Sequence, residues 1–139
     1  MYHGPRSQQS SLPVLLDALQ SFLSSHLTET IILCLKEESP PFHPSFSALV
    51  YAAFENRLEK FWFLEERIPK LGEVRGKGML MTRFNRDKDT ENQWPNGMGI
   101  HPSRWPDSRI GGFDWNCGET QVRTQDWYVV TILSNSSHL

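Results

Sequence analysis

Five residues of this chain have types and settings that could do chemistry: His3, Lys36, Arg83, Asp126 and Tyr128. His3 stands in the opening MYHGPRS. Histidine titrates near pH ~6.5, so it can protonate a poor leaving group such as an alkoxide at ordinary pH. Gly4 lets the backbone turn sharply behind it, and Pro5 stiffens that turn. Lys36 closes the apolar run TIILCL and precedes Glu37 and Glu38, a place for a hydroxyl or phosphate donor held at a rim. Arg83 follows GMLMT and offers five donors in a fixed fork, suited to paired hydroxyls or phosphate oxygens. Asp126, in TQDWY, reads as sugar recognition: a carboxylate takes ring hydroxyls while Tyr128 covers the ring face. Brought together, these groups fit phosphodiester cleavage beside a hydroxylated ring. Each also has a plain alternative. His3 would be a frayed terminal residue and Lys36 part of a solvated charge cluster. Arg83 would pair with Asp87 or Asp89, Asp126 would be a strand-end cap or ion-pair partner, and Tyr128 a core aromatic.

The elements that would position these groups alternate between strand and helix. Residues 10–29 read as a helix, with Ser10 or Ser11 as cap and Pro13 in the first turn, where its missing N–H costs nothing. Leu12, Leu15, Leu16, Leu19, Phe22, Leu23 and Leu27 recur at helical spacing. Residues 30–35 form a short apolar run that reads as a strand buried on both faces, as in a parallel sheet. After the proline loop ESPPFHP, the residues Phe46, Leu49, Val50, Ala53, Phe54 and Leu58 repeat the helical spacing. A mixed connection follows, with turns marked by Pro69, Gly72 and Gly76, and then GMLMTRF reads as a second buried strand. Residues 85–119 read as loops with little regular structure, and TQVRTQDWYVV as a last strand. Helices between strands imply parallel neighbours joined by crossovers. His3, Lys36, Arg83 and Asp126 then mark the C-terminal ends of successive strands. That end carries the active site of a (β/α)8 barrel and the ligand crevice of a doubly wound sheet.

The totals narrow the function further. The chain has 139 residues, 38% of them hydrophobic, enough for one modest domain. A net charge of -2 argues against a nucleic-acid binder. No stretch approaches the ~18 apolar residues of a membrane span, and no signal peptide is visible. Cys34 and Cys117 lack metal-ligand spacing and read as two unpaired thiols. Glu37 and Glu38 cannot flank one glycosidic bond, because adjacent strand residues face opposite ways. His26 reads as a surface or boundary residue, and His43 and His101 lie in proline-containing loops without ligand spacing. Trp94, Trp105 and Trp115 either pack the long loops or, if those loops rim a site, meet a membrane interface. Asn135-Ser136-Ser137 matches the N-glycosylation pattern and carries no weight here.

YHGPRS at 2–7, the helix into ETIILCLKEE at 29–38, LGEVRGKGMLMTRF at 71–84 and TQDWY at 124–128 resemble the catalytic X region of bacterial-type phosphatidylinositol-specific phospholipase C. The likeness rests on the order and spacing of these segments and spans residues 2 to about 130. It implies a partial TIM-type (β/α)8 barrel, roughly its middle strands with their helices. A whole barrel usually takes ~250 residues. Residues 1–130 would be the catalytic-domain segment and 131–139 an atypical tail.

The resemblance also implies the activity. Enzymes of this family cleave phosphatidylinositol to diacylglycerol and a cyclic inositol phosphate. The inositol 2-hydroxyl attacks phosphorus, and two histidines serve as base and acid without metal or other cofactor. By resemblance His3 matches the histidine that protonates the leaving alkoxide. Lys36 matches the lysine that contacts inositol, and Arg83 the arginine that binds its hydroxyls. Asp126 matches the carboxylate that accepts ring hydrogen bonds, and Tyr128 the aromatic against which the ring stacks. The implied partner is an inositol lipid at a membrane surface, with no nucleic acid and no stable protein partner, and the family's members are secreted or peripheral. The family's first histidine precedes the matched region, so the chain alone is expected to be nearly inactive. Two alternatives stand: a non-catalytic relative that binds a phosphoinositide or sugar headgroup, and a metal-dependent barrel enzyme acting on a glycerophosphodiester.

Overall fold

The structure, a computed structural model, describes residues 2–3, 6–7, 10–37, 46–54, 57–84, 86, 94, 97–102, 105–106 and 109–126. Of residues 2–3, 6–7 and 58–59 only the backbone is described. The architecture is mixed α/β. At its centre lie β3 (Ile31–Lys36) and β5 (Gly78–Arg83), parallel and in register from Ile31–Gly78 to Lys36–Arg83. The two strands expected from the sequence are present within one residue of their predicted bounds, but the expected burial on both faces holds for β5 and not for β3, whose Ile32 and Cys34 are exposed. On the far side of β5 the short β4 (Trp62–Phe63) pairs in parallel with Gly78 and Met79. Ile100 continues that edge through a parallel bridge to Met81. Its N–H donates to the Leu80 carbonyl at 2.9 Å, and its own carbonyl accepts from Thr82 N–H at 2.8 Å.

Both faces of β5 are covered, whereas β3 is covered on one face only and leaves Ile32 and Cys34 exposed on the other. On one face Leu33, Leu35 and Leu80 meet Leu16 of α1 (Leu12–Ser25) and Val50 and Phe54 of α2 (Phe46–Phe54). Trp62, Leu64, Trp94 and Met98 complete that core. On the other face Met79 and Met81 meet Phe113, Trp115 and Cys117. The α1 stripe is narrower than its spacing implies. Leu16 and Leu23 are buried, whereas Phe22 stacks on His26 at the exposed helix end and Leu27 lies beyond the helix, exposed. Ser11 is the N-cap residue of α1, with Pro13 in the first turn. The second helix ends at Phe54, and Leu58 opens the separate one-turn α3 (Leu58–Phe61). Gly72 lies inside the one-turn α4 (Leu71–Val74) rather than in a turn. Gly76, at φ +71°, makes the turn into β5 and donates its N–H to the Glu29 carbonyl at 2.7 Å.

Two expectations are corrected here. Residues 85–119 contain a strand, β6 (Phe113–Cys117). The strand expected from TQVRTQDWYVV is β7 (Thr120–Thr124), which pairs antiparallel with β6 through a two-residue turn at Gly118 and Glu119 and is not a parallel neighbour of β5. FDWNC alternates buried and exposed residues. Trp115 Nε1 donates to Thr124 Oγ1 at 2.9 Å, tying the hairpin together beside Arg83's strand. His3 lies in β1 (Tyr2–His3), which pairs antiparallel with β2 (Arg6–Ser7) in a two-stranded sheet of its own, so it does not end a strand of the parallel sheet. Residues 131–139 and Tyr128 lie outside the described residues. No helix among the described residues is long and apolar enough to cross a membrane.

Candidate functional site

Lys36 and Arg83 are the last residues of β3 and β5 and are register partners, so both side chains leave the same face at the C-terminal end of the parallel pair. The sheet places them there because the apolar run of each strand stops at the charge. Cys34, two residues before Lys36, shares that face, within electrostatic reach of Arg83. Asp126 arrives by a different route. It follows β7 by two residues, and the hairpin that packs on Met79 and Met81 carries it back to β5. Its Oδ2 lies 3.9 Å from Arg83 Nη1.

Trp105 joins these two charged groups. The Arg83 guanidinium stands over its ring, 4.4 Å from the centroid. Its Nε1 donates to Asp126 Oδ2 at 2.5 Å. The indole is held in turn by the hairpin, edge-on to Phe113 at 5.4 Å and tilted against Trp115 at 6.4 Å. The side chains of Arg83 and Asp126 are 15% and 23% exposed, so solvent screens this pair less than a surface ion pair. The same charges reach Cys34. Burial around its thiol pushes the thiol up from its usual range, the Arg83 guanidinium pulls it back by its charge, and the Asp126 carboxylate pushes it up again.

A second polar cluster lies beyond Arg83. Arg86 donates to Thr82 Oγ1 at 2.9 Å, to the Gly99 carbonyl at 2.8 Å and to Glu66 at 3.1 Å. His101 Nδ1 lies 2.9 Å from the Thr82 carbonyl, which only accepts, so this nitrogen carries a proton. These bonds lash the Ile100 bridge to the end of β5, and the cluster is architectural. His26 caps α1 in the same spirit, its Nδ1 2.9 Å from the Phe22 carbonyl. Among the described residues no group of three or more His, Cys, Asp or Glu side chains is placed to hold a metal ion. A shallow cleft of about 430 Å³ opens where β7 ends, lined by Gly111, Gly112, Arg123, Thr124 and Gln125.

Of the five residues singled out in the sequence, the structure brings Arg83 and Asp126 together, with Lys36 on the neighbouring strand end. For Arg83 an acidic partner is found in Asp126, while Asp87 and Asp89 lie outside the described residues. The side chain of His3 and all of Tyr128 lie outside the described residues. Trp105 was legible only as one of three loop tryptophans. Trp94 and Trp115 are buried, as the packing reading of the loop tryptophans expects. Cys34 was read as a bare thiol, although its i, i+2 relation to Lys36 places it on the Lys36 face of a strand. A search of the chain against models of known protein families finds no match.

Proposed function

We propose that this chain is a phosphatidylinositol-specific phospholipase C-like phosphodiesterase, an arc of an α/β barrel whose C-terminal strand ends hold an inositol headgroup. One observation carries the reading. A guanidinium over the face of an indole and a carboxylate at its edge converge at the C-terminal end of parallel strands, beside a lysine. The gap of 3.9 Å between Arg83 Nη1 and Asp126 Oδ2 exceeds a hydrogen bond. A hydroxyl is donor and acceptor at once, so it suits such a gap: it accepts from Arg83 and donates to Asp126. A ring bearing neighbouring hydroxyls and a phosphate would also use Lys36. In this reading Arg83 and Asp126 orient the inositol and Tyr128 stacks on it; a general base takes the proton of the inositol 2-hydroxyl as its oxygen bonds to phosphorus, and His3 protonates the diacylglycerol oxygen as the phosphorus–oxygen bond to it breaks. The run from β3 to β5 to the Ile100 bridge supports the barrel half of the proposal, since each is parallel to its neighbour.

The test uses vesicles of phosphatidylinositol in phosphatidylcholine. Phosphorus NMR follows cyclic inositol phosphate, and co-sedimentation follows binding. Binding that requires phosphatidylinositol and is lost in Arg83→Gln supports the headgroup site. Any release of cyclic phosphate, however slow, that His3→Ala abolishes supports the enzyme. Binding without release points to the non-catalytic relative. Equal sedimentation with and without phosphatidylinositol would remove the proposal.

A further inference from the structure

We infer that Trp105 is the positioning residue of this site, fixing the separation and orientation of Arg83 and Asp126; the inference rests on the headgroup reading above. Neither charged group is placed by its own element alone. Arg83 is the last residue of β5, and its long side chain has many rotamers. Asp126 lies two residues beyond β7, past the last ladder pair at Thr124. Yet both end on one indole. The ring face takes the guanidinium at 4.4 Å, and the ring N–H donates to the carboxylate at 2.5 Å. An indole is suited to both tasks, because its π face attracts a cation while its only donor lies in the ring plane. Phe113 and Trp115 brace the ring from the hairpin side. The resulting chain of support runs from the second core, through Trp105, to both ligand groups. It explains how two charges of opposite sign stay 3.9 Å apart rather than closing on one another: the cation is drawn over the ring face, and the carboxylate is held at the ring edge.

If so, loss of the N–H alone disorders the site while the hydrophobic packing survives. In Trp105→Phe the ring face remains and the donor is gone. Affinity for inositol 1-phosphate should fall at least about tenfold, the scale of one hydrogen bond to a charged group. The effect passes through Asp126, so Trp105→Phe should cost little more once Asp126→Ala is present, whereas a merely structural tryptophan would add its loss in full. A ligand-free arm accompanies the titration. The indole N–H signals in a nitrogen–proton correlation spectrum are compared among the wild-type chain, Trp105→Phe and Asp126→Asn. The signal that disappears in Trp105→Phe should be the one that moves most in Asp126→Asn.

Three results would overturn the inference: an unmoved signal, an unaffected affinity in Trp105→Phe, or additive losses in the double variant. A wild-type chain that binds no inositol phosphate sinks the headgroup reading and the positioning role with it. An intact response of the indole signal to Asp126→Asn then shows that the fault lies in the ligand and not in the geometry.

Discussion

Gly99 offers a sharp test of how the end of β5 is built. It sits at φ +78°, a conformation that costs a residue with a side chain about 1–2 kcal/mol. An added Cβ would press on the Leu80 carbonyl oxygen, 2.9 Å from its carbon and 3.0 Å from the Leu80 Cβ. That neighbour is strand backbone and cannot swing aside. The segment must therefore lift away from β5. Lifting endangers the Gly99 N–H to Leu64 carbonyl bond of 2.7 Å and the Ile100 N–H to Leu80 carbonyl bond of 2.9 Å, each worth about 1 kcal/mol net. Gly99→Ala is thus expected to cost about 3–4 kcal/mol, a large share of the ~5–15 kcal/mol that holds a domain folded.

Gly111 is the internal control. Its φ is +81°, but nothing lies within 4 Å of the position a Cβ would take. Gly111→Ala should cost only the conformational part, about 1 kcal/mol. Urea unfolding followed by tryptophan fluorescence would separate the two, with midpoints differing by about 1 M or more for ordinary slopes. Equal destabilisation of the two variants, or a Gly99→Ala loss below about 1 kcal/mol, would refute the account of the Ile100 edge.

Other expectations concern the charges. Alkylation of the native chain should occur at exposed Cys34, with buried Cys117 reacting only on unfolding. Because thiolate is the reactive form, Arg83→Gln should slow Cys34 alkylation at pH 8, and Asp126→Asn should speed it; the reverse order would show that these groups do not face the thiol. Glu73 accepts from Arg67 at 2.6 Å and from the Lys70 N–H at 2.8 Å, which holds its carboxyl down to about 2 in the folded chain. An unfolded glutamate titrates near ~4.3. The stability it adds is therefore present above that value and fades as pH falls toward 2. Denaturation midpoints of Glu73→Gln and the wild-type chain should differ steadily from pH 7 to 5 and converge near pH 2. A difference that persists unchanged at pH 2 would contradict this.

The central parallel pair was legible because each strand is an unbroken apolar run that stops abruptly at charge, although the burial on both faces that such a run implies holds for β5 and not for β3. Lys36 and Arg83 could therefore be placed at strand ends from their positions alone. The hairpin was not read, although FDWNC alternates and Gly118 offers a turn, because it stands in a stretch dense in Gly, Pro and Asn. Reading β7 as a parallel strand predicted the meeting of Asp126 with Arg83 through the wrong connection. The contact is made instead by an antiparallel hairpin folding over Met79 and Met81. Trp105 was beyond reach for another reason. Its role depends on two residues far from it in sequence, Arg83 and Asp126, meeting one ring, and neither period nor local composition records that. Phe22 and Leu27 share the helical spacing of the buried leucines, but α1 ends at Ser25 and the sheet does not extend beneath them.

The most direct measurement is a calorimetric titration of myo-inositol 1-phosphate into the 139-residue chain and into Arg83→Gln and Asp126→Ala. The account predicts one site in the wild-type chain. Each substitution should weaken it by at least about tenfold, the scale of one lost hydrogen bond to a charged group. Inorganic phosphate should bind less well, because it lacks the hydroxyls that span Arg83 and Asp126. Absence of binding, or equal affinity for inositol phosphate and inorganic phosphate in all three proteins, would contradict it.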